Sequence, residues 1–122
     1  MPNKTILIVD DSASLRQVVK IALTGAGYAV VEACDGQDAL KKANGTKFHL
    51  IISDVNMPNM DGLEFLAAVK QLAAYRFTPV IMLTTESAAD KKQMGREGGA
   101  KAWIVKPFQP EQLLAAVAKL VM

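Results

Sequence analysis

Residues 6–14 read ILIVDDSAS, four apolar residues followed at once by two neighbouring carboxylates, Asp10 and Asp11. The apolar run is typical of a strand buried in a sheet. Two like charges at its end repel each other, and partial burial increases that repulsion. Either the two aspartates lie in a solvated turn and cap the next helix, or a positive group lies close to them.

Four more short apolar runs follow the first one, which spans 5–9 (TILIV). They are YAVVEA (28–33), HLIIS (49–53), PVIMLT (79–84) and AWIV (102–105). These runs are nearly continuous in apolar residues instead of alternating, which is typical of parallel strands covered on both faces. The sequence therefore predicts five buried parallel strands.

Helices are predicted in the intervals between these strands. The first is expected from about Ser12 to Ala26, with an apolar stripe formed by Leu15, Val18, Val19 and Ala22. The second is expected over 36–43, where Asp35 is the candidate N-cap. The third begins near Asp61, and its spacing to Glu64 fits a capping box.

Two further helices complete the pattern. The fourth is predicted from Ser87 and has few apolar residues, so it should be the least firmly held; the fifth is predicted from Pro110 to the end. Five alternations of strand and helix predict a flavodoxin-like (βα)5 α/β fold, a doubly wound five-stranded parallel sheet in the order 2-1-3-4-5. A length of 122 residues favours a single domain over 1–122, with no effector domain.

Composition narrows the classes of partner and compartment. A formal net charge of +2 gives no argument for nucleic acid or for an anionic membrane. No apolar run approaches the roughly 20 residues that cross a bilayer, and the N-terminus has no secretory h-region. The single cysteine, Cys34, excludes an internal disulfide and is expected to be a small buried residue. We therefore expect a cytoplasmic monomer.

Polar residues follow the predicted strands at one edge of the sheet. Asp10 and Asp11 follow the first strand, Asp54 the third, Thr84 ends the fourth and Lys106 follows the fifth. Each has an ordinary interpretation: a helix cap, a turn aspartate, a buried strand threonine or a solvated lysine. Ligands of open parallel sheets bind beyond the carboxyl ends of the strands, so their joint position favours a common site.

The chemistry of these side chains favours the same conclusion. Carboxylate oxygens suit a hard divalent cation, and Mg²⁺ typically uses one or two carboxylates together with water and phosphate oxygens. One carboxylate can then act as a nucleophile toward phosphorus. Lysine and threonine can hold the oxygens of a transferred phosphoryl group.

Four motifs, ILIVDDS, IISDVNMPNMDG, PVIMLTTES and AWIVKPF, occur in this order along the chain. With them the chain resembles, over essentially its whole length, the receiver domain of two-component response regulators, and most of all the single-domain chemotaxis regulators of the CheY type. The resemblance implies that Asp54 is the phospho-acceptor. It implies that Asp11 and Asp54 bind Mg²⁺ directly, that Asp10 supports the metal, and that Asn56 contributes its main-chain carbonyl.

The resemblance also assigns a switch. Thr84 matches the hydroxyl that moves onto the phosphoryl group, and Lys106 matches the lysine that binds its oxygens. Pro107 follows Lys106 through what the family makes a cis peptide. Trp103 lies at the aromatic switch position, where the family more often has Tyr or Phe; the alternative is a fixed, half-buried surface aromatic.

Two positions resemble those that tune the lifetime of the phosphorylated state. Asn56 lies two residues after Asp54, and Glu86 lies two residues after Thr84. By the resemblance, an amide and a carboxylate at these positions imply a short-lived phosphorylated state. The only histidine, His49, precedes the third strand at the opposite end from the acidic residues, and we do not expect it to carry a phosphoryl group.

By this resemblance the protein receives a phosphoryl group from a chemotaxis-type sensor histidine kinase and catalyses its own dephosphorylation. Its output would run through the surface of the fourth helix, fifth strand and fifth helix to a partner such as the flagellar motor switch, a phosphatase, or both. The alternative is a stand-alone receiver that acts as a phosphate sink or regulates another pathway.

Three rival classes fit the residues less well. A haloacid dehalogenase-type phosphatase typically has a second aspartate two residues after its nucleophile, but Asn56 follows Asp54 at that spacing. A flavodoxin-like binding module would need a glycine- and hydroxyl-rich phosphate loop where Asp10 and Asp11 stand. A degenerate receiver would lack a site residue, and none is missing.

Overall fold

Five parallel strands form one sheet in the computed structural model, which describes residues 4–84 and 99–121. The strands are β1 (Thr5–Val9), β2 (Ala29–Ala33), β3 (Leu50–Asp54), β4 (Val80–Thr84) and β5 (Ala102–Val105). Their order is β2-β1-β3-β4-β5, so the predicted flavodoxin-like topology is confirmed. The predicted strand limits agree with these bounds to within one residue.

Helices cover both faces of this sheet. They are α1 (Ala13–Gly25), α2 (Gly36–Lys42), α3 (Gly62–Lys70), a short 3₁₀ helix (Ala73–Tyr75) that the sequence did not predict, and the C-terminal helix (Pro110–Leu120). None of the helices in the described part of the chain is long and apolar enough to cross a membrane. The helix predicted from Ser87, and with it Glu86, lies outside the described residues.

Side-chain caps fix where the first three helices begin. Ser12 caps α1, because its Oγ accepts a hydrogen bond of 3.2 Å from the N–H of Leu15. Asp35 caps α2 as predicted. Asp61 and Glu64 form the predicted capping box at α3, with reciprocal bonds of 2.8 and 3.1 Å. These caps satisfy main-chain N–H groups that have no partner within the helix.

Two apolar cores lie on opposite faces of the sheet, because successive side chains of a strand point in opposite directions. Ile6, Ile8 and Ile52 face α1 and the C-terminal helix. Leu7 and Ile51 face α2 and α3. All five residues of β3 are buried, so this central strand supplies both cores and ends, at Asp54, inside the molecule.

Two burial predictions were wrong. Val18 is 50% exposed, whereas Val19 of the same predicted stripe is buried, together with Leu23, which was not predicted. The apolar stripe therefore includes Leu23 instead of Val18, while Leu15 and Val19 pack against the core as predicted. Cys34 is exposed, because it follows the edge strand β2 in a turn where its N–H bonds the Asp38 carboxylate at 3.0 Å.

Candidate functional site

Three carboxylates meet at the carboxyl edge of the sheet. Asp10 follows β1, Asp54 ends the neighbouring β3, and one oxygen each from Asp10, Asp11 and Asp54 lies within 4.8 Å of the others. We call these three residues the acidic cluster. Asp10 and Asp54 are buried, whereas Asp11 is exposed, so the acidic cluster opens to solvent on one side.

Lys106 supplies a positive charge that bridges two members of the acidic cluster. Its Nζ lies 3.2 Å from Oδ2 of Asp10 and 3.2 Å from Oδ1 of Asp54. The Lys106 N–H donates to the main-chain oxygen of Thr84 at 2.7 Å, and the peptide bond to Pro107 is cis. The Lys106 side chain is 17% exposed, so the interpretation of Lys106 as a solvated lysine is wrong.

The electrostatics of the acidic cluster favour a cation. Burial, and next the charge of Asp10, raise the pKa of Asp54 above its ordinary value, while Lys106 acts in the opposite direction. Three carboxylates beside one ammonium leave an excess of negative charge. Oxygen donors with that excess are the donor set of a hard divalent cation such as Mg²⁺, so the residues present fit this metal.

Asp10 also serves the turn before α1. Its Oδ1 accepts a hydrogen bond of 2.9 Å from the N–H of Ser12, and Ser12 is itself the helix cap. The two interpretations of the ILIVDDS segment are therefore compatible, because Asp10 uses one carboxylate oxygen for the turn and the other for Lys106.

The loop after β3 is held by hydrogen bonds to β4, to the start of α3 and to Asp35, the N-cap of α2. Val55 donates its N–H to the main-chain oxygen of Leu83 at 3.0 Å, and Gly62 donates to Val55 at 2.7 Å. Asn59 has a φ of 68°, and its Nδ2 donates to Oδ2 of Asp35 at 2.9 Å. Asn56, in the same loop, is exposed. These bonds hold the chain that follows Asp54 against β4 and the start of α2.

The two predicted switch residues lie on the last two strands. Thr84 is fully buried and is aligned with Val105 of β5. Trp103 is aligned with Met82 and packs against the core on the α2 and α3 side. The indole Nε1 of Trp103 is buried, and no residue within 4–84 or 99–121 accepts a hydrogen bond from it.

Sequence reasoning did not single out Arg16 and Glu32. Nη1 of Arg16 donates to the main-chain oxygen of Asp10 at 2.5 Å, and its Nε donates to Glu32 Oε1 at 3.2 Å. Arg16 is the first basic residue after the two aspartates, which is the one signal in the sequence that could have drawn attention to it.

Comparison with known proteins defines the class. Residues 6–118 match the model of the response regulator receiver domain family, and the chain belongs to that family. The structure of the Vibrio cholerae chemotaxis protein CheY4 superposes with a TM-score of 0.94 at 50% sequence identity, covering 98% of this chain and 100% of that one. The chain is thus a CheY-like receiver domain with chemotaxis proteins among its relatives.

Two other proteins are also similar in sequence to this chain. Protein PilG of Pseudomonas aeruginosa is 37% identical over 112 residues, which are 92% of this chain and 83% of PilG. The alkaline phosphatase synthesis transcriptional regulatory protein PhoP of Bacillus subtilis is 40% identical over 116 residues, 94% of this chain. The chain spans only 47% of the length of PhoP, so the likeness to PhoP concerns one part of that protein.

Proposed function

We propose that this protein accepts a phosphoryl group on Asp54 from the phosphohistidine of a sensor kinase. The observation that carries the proposal is the contact of Lys106 with both Asp10 and Asp54 at 3.2 Å, inside the acidic cluster. A carboxylate beside a fixed ammonium at the carboxyl edge of the sheet supports a nucleophilic role for Asp54. Membership of the receiver family supports the same role.

The transfer is a displacement at phosphorus. A carboxylate oxygen of Asp54 forms the new P–O bond while the P–N bond to the kinase imidazole breaks, and the bonding pair stays on the imidazole nitrogen. Lys106, whose Nζ lies 3.2 Å from Oδ1 of Asp54, would neutralise charge on the phosphoryl oxygens, and the buried Thr84 would donate its hydroxyl to one of them. Hydrolysis of the acyl phosphate by water returns Asp54 to the carboxylate, and Asn56 and Glu86 set the access of that water.

The metal role falls to residues of the acidic cluster. Mg²⁺ would be held by the carboxylates of Asp11 and Asp54 and the main-chain carbonyl of Asn56, with Asp10 in support. When bound, it would offset the repulsion between the Asp54 carboxylate and the incoming phosphoryl anion. The excess negative charge of the acidic cluster supports this assignment.

Phosphorylation would act on a partner by changing one surface of the protein. The phosphoryl group draws the Thr84 hydroxyl, and Trp103 takes up the space released, which alters the face formed by β5, the C-terminal helix and the segment expected to form the fourth helix. The partner we favour is a flagellar motor switch protein in the cytoplasm, because the chain is 50% identical to a chemotaxis protein. A phosphate sink, or a regulator of another pathway, is the alternative.

Direct phosphorylation tests the first step. The protein is incubated with a small phosphodonor, with and without Mg²⁺, and the adduct is followed by intact mass. We expect a base-labile adduct that requires Mg²⁺ and is absent from Asp54→Asn, which keeps the shape of the side chain but not its charge. An adduct of equal yield in Asp54→Asn would contradict the proposal.

A second experiment tests the output. Phosphorylated and unphosphorylated protein are compared as baits for a purified motor switch protein. Preferential binding of the phosphorylated form supports the motor assignment. Equal binding, or none, with normal phosphorylation would favour the phosphate sink or another pathway.

A further inference from the structure

Arg16 connects α1 to the acidic cluster without belonging to it. The side chain is 17% exposed, and its Nη1 donates to the main-chain oxygen of Asp10 at 2.5 Å. Arginine is usually exposed, so a guanidinium turned inward onto a main-chain carbonyl has a structural purpose. That carbonyl belongs to a residue that is 1% exposed and needs a partner.

The carbonyl held by Arg16 belongs to the peptide group between Asp10 and Asp11. Because a peptide group is planar, fixing its oxygen also fixes the Asp11 nitrogen and both adjoining Cα atoms. On the other side the Asp10 N–H donates to the main-chain oxygen of Ala33 at 3.1 Å. Asp10 is thus held through its N–H and its carbonyl, and the carboxylate of exposed Asp11 takes its direction from the same peptide.

Glu32 keeps the guanidinium in this orientation. Its Oε1 accepts from Nε of Arg16 at 3.2 Å, and Oε2 lies 3.5 Å from Nζ of Lys20. Lys42 donates to the main-chain oxygen of Glu32. Glu32 is 34% exposed, and an ion pair so open to water adds little to stability, so the contact matters for orientation.

We propose that Arg16, oriented by Glu32, is a positioning residue for the acidic cluster: it fixes the peptide between Asp10 and Asp11 so that both carboxylates face one cation. This inference rests on the cation binding in the proposed function. Positioning and plain electrostatics predict opposite effects here. A nearby positive charge repels a cation, so its removal should tighten binding if charge alone matters, whereas loss of positioning should weaken it.

Mn²⁺ binding, measured by the electron paramagnetic resonance signal of the free ion, separates the two effects without any phosphorylation. We expect Arg16→Met to weaken Mn²⁺ binding at least about 10-fold, as is typical when a group that orients a metal ligand is lost. Arg16→Lys keeps the charge and one hydrogen bond, so its affinity should lie between those of Arg16→Met and wild type.

Lys20→Met is the matched control. It removes an equal charge from the same helix and the same Glu32 partner, but it does not touch the Asp10 carbonyl. Its Mn²⁺ affinity should equal that of wild type or be slightly tighter. Circular dichroism confirms folding; if Arg16→Met does not fold, Glu32→Ala, which frees the guanidinium, should weaken binding in the same direction.

The outcomes distinguish this inference from the proposed function. Wild-type binding with equal or tighter binding by folded Arg16→Met would overturn the positioning role alone. Absence of Mn²⁺ binding by the wild type would overturn the proposed cation site, and the positioning role with it. Weaker binding by both Arg16→Met and Lys20→Met, to the same extent, would also reject positioning, because Arg16, and not Lys20, bonds the Asp10–Asp11 peptide.

Discussion

At the scale of single residues, Lys106 has two opposed effects. Its ammonium stabilises the carboxylates of Asp10 and Asp54, and the same charge competes with any cation that the acidic cluster attracts. Transfer of a phosphoryl group replaces the single negative charge of the Asp54 carboxylate with the roughly −1.5 to −2 units of a phosphoryl group, by analogy with other phosphorylated side chains, so the negative charge beside this ammonium increases. Lys106 should therefore favour the phosphorylated state over the metal-bound unmodified one.

Replacement of this lysine tests both effects. We expect Lys106→Met to slow phosphorylation by a small phosphodonor by about 10²-fold, comparable to the loss of one charge-stabilising donor, and to tighten Mg²⁺ binding. Rates come from intact mass and affinities from calorimetry. Lys101→Met is the control, because Lys101 is exposed just before β5. An unchanged rate in Lys106→Met would refute its role toward the phosphoryl group.

The raised pKa of Asp54 makes a prediction about pH. The folded protein holds the Asp54 proton more tightly than the unfolded chain does. The chain therefore takes up protons on folding between pH 3.8 and the folded-state pKa of Asp54. The free energy of unfolding should therefore decrease as pH rises from 3.8 through the folded-state pKa. The side chain of Asp54→Asn cannot ionise, so this variant does not lose stability as pH rises through that range. In metal-free buffer at pH 7, its melting temperature should be a few degrees higher than that of wild type.

The pH experiment compares the variant with wild type at each pH. Asp35 and Asp38 have lowered pKa values, chiefly through main-chain hydrogen bonds, and their contributions are lost as pH falls. The difference in melting temperature cancels these contributions, since both proteins share them. It should vanish below pH 3.8 and narrow when Mg²⁺ is added; a constant difference across pH would show that ionisation of Asp54 does not cause it.

The sequence indicated which residues form the acidic cluster but not the contacts among them. Strand ends told us that Asp10, Asp54 and Lys106 share an edge, because sheet order fixes which ends are neighbours. The bridging position of Lys106 depends on three-dimensional distances that no spacing in the sequence encodes. Arg16 was missed for a related reason: its partner is a main-chain oxygen, which leaves no trace in residue type.

At the scale of secondary structure elements, the contact of α3 with the end of β3 brings Gly62 against Asp54. A Cβ atom at Gly62 would lie 2.0 Å from the main-chain oxygen of Asp54 and 2.9 Å from the methyl of Met82. Only glycine allows the first residue of α3 to approach the strand end this closely. The DG pair at 61–62 is therefore a packing requirement as well as a helix start.

Gly62→Ala should lower the free energy of unfolding by about 3 kcal/mol, the upper end of the usual cost of overpacking, because the clash is with backbone and cannot relax by rotation. Urea denaturation gives the value. Gly25→Ala, at the end of α1 where a Cβ meets nothing within 4 Å, is the matched control and should stay within about 1 kcal/mol of wild type, toward higher stability. Similar stability of both variants would contradict the close approach.

Element limits were predictable where a local signal exists. The caps Ser12, Asp35 and Asp61 stand beside the helices that they start, and continuous apolar runs identified the strands. The 3₁₀ helix Ala73–Tyr75 has no side-chain cap bond and follows the end of α3 closely, so no comparable signal was available. The exposure of Val18 depends on the rotation of α1 over the sheet, which tertiary packing decides.

At the scale of the whole molecule, the sheet links the acidic cluster to the α2 and α3 side. Asp54 is aligned with Leu83, and the next residue of β4 is Thr84. Thr84 and Met82 are two residues apart and so point to the same face, where Trp103 packs against the same core as Met82. Thr84 therefore faces the core against which Trp103 packs, which is the position that the proposed switch requires of it.

Trp103 is the only tryptophan, so tryptophan fluorescence reports on the surroundings of this one side chain. Its Nε1 is buried and has no hydrogen-bond acceptor within residues 4–84 and 99–121. If phosphorylation draws Thr84 toward Asp54 and Trp103 moves inward, emission should shift to shorter wavelength and acrylamide quenching should fall, while Asp54→Asn and Thr84→Ala should show neither change. Emission and quenching that stay constant while mass spectrometry shows full phosphorylation would mean that Trp103 is a fixed aromatic and that the output takes another path.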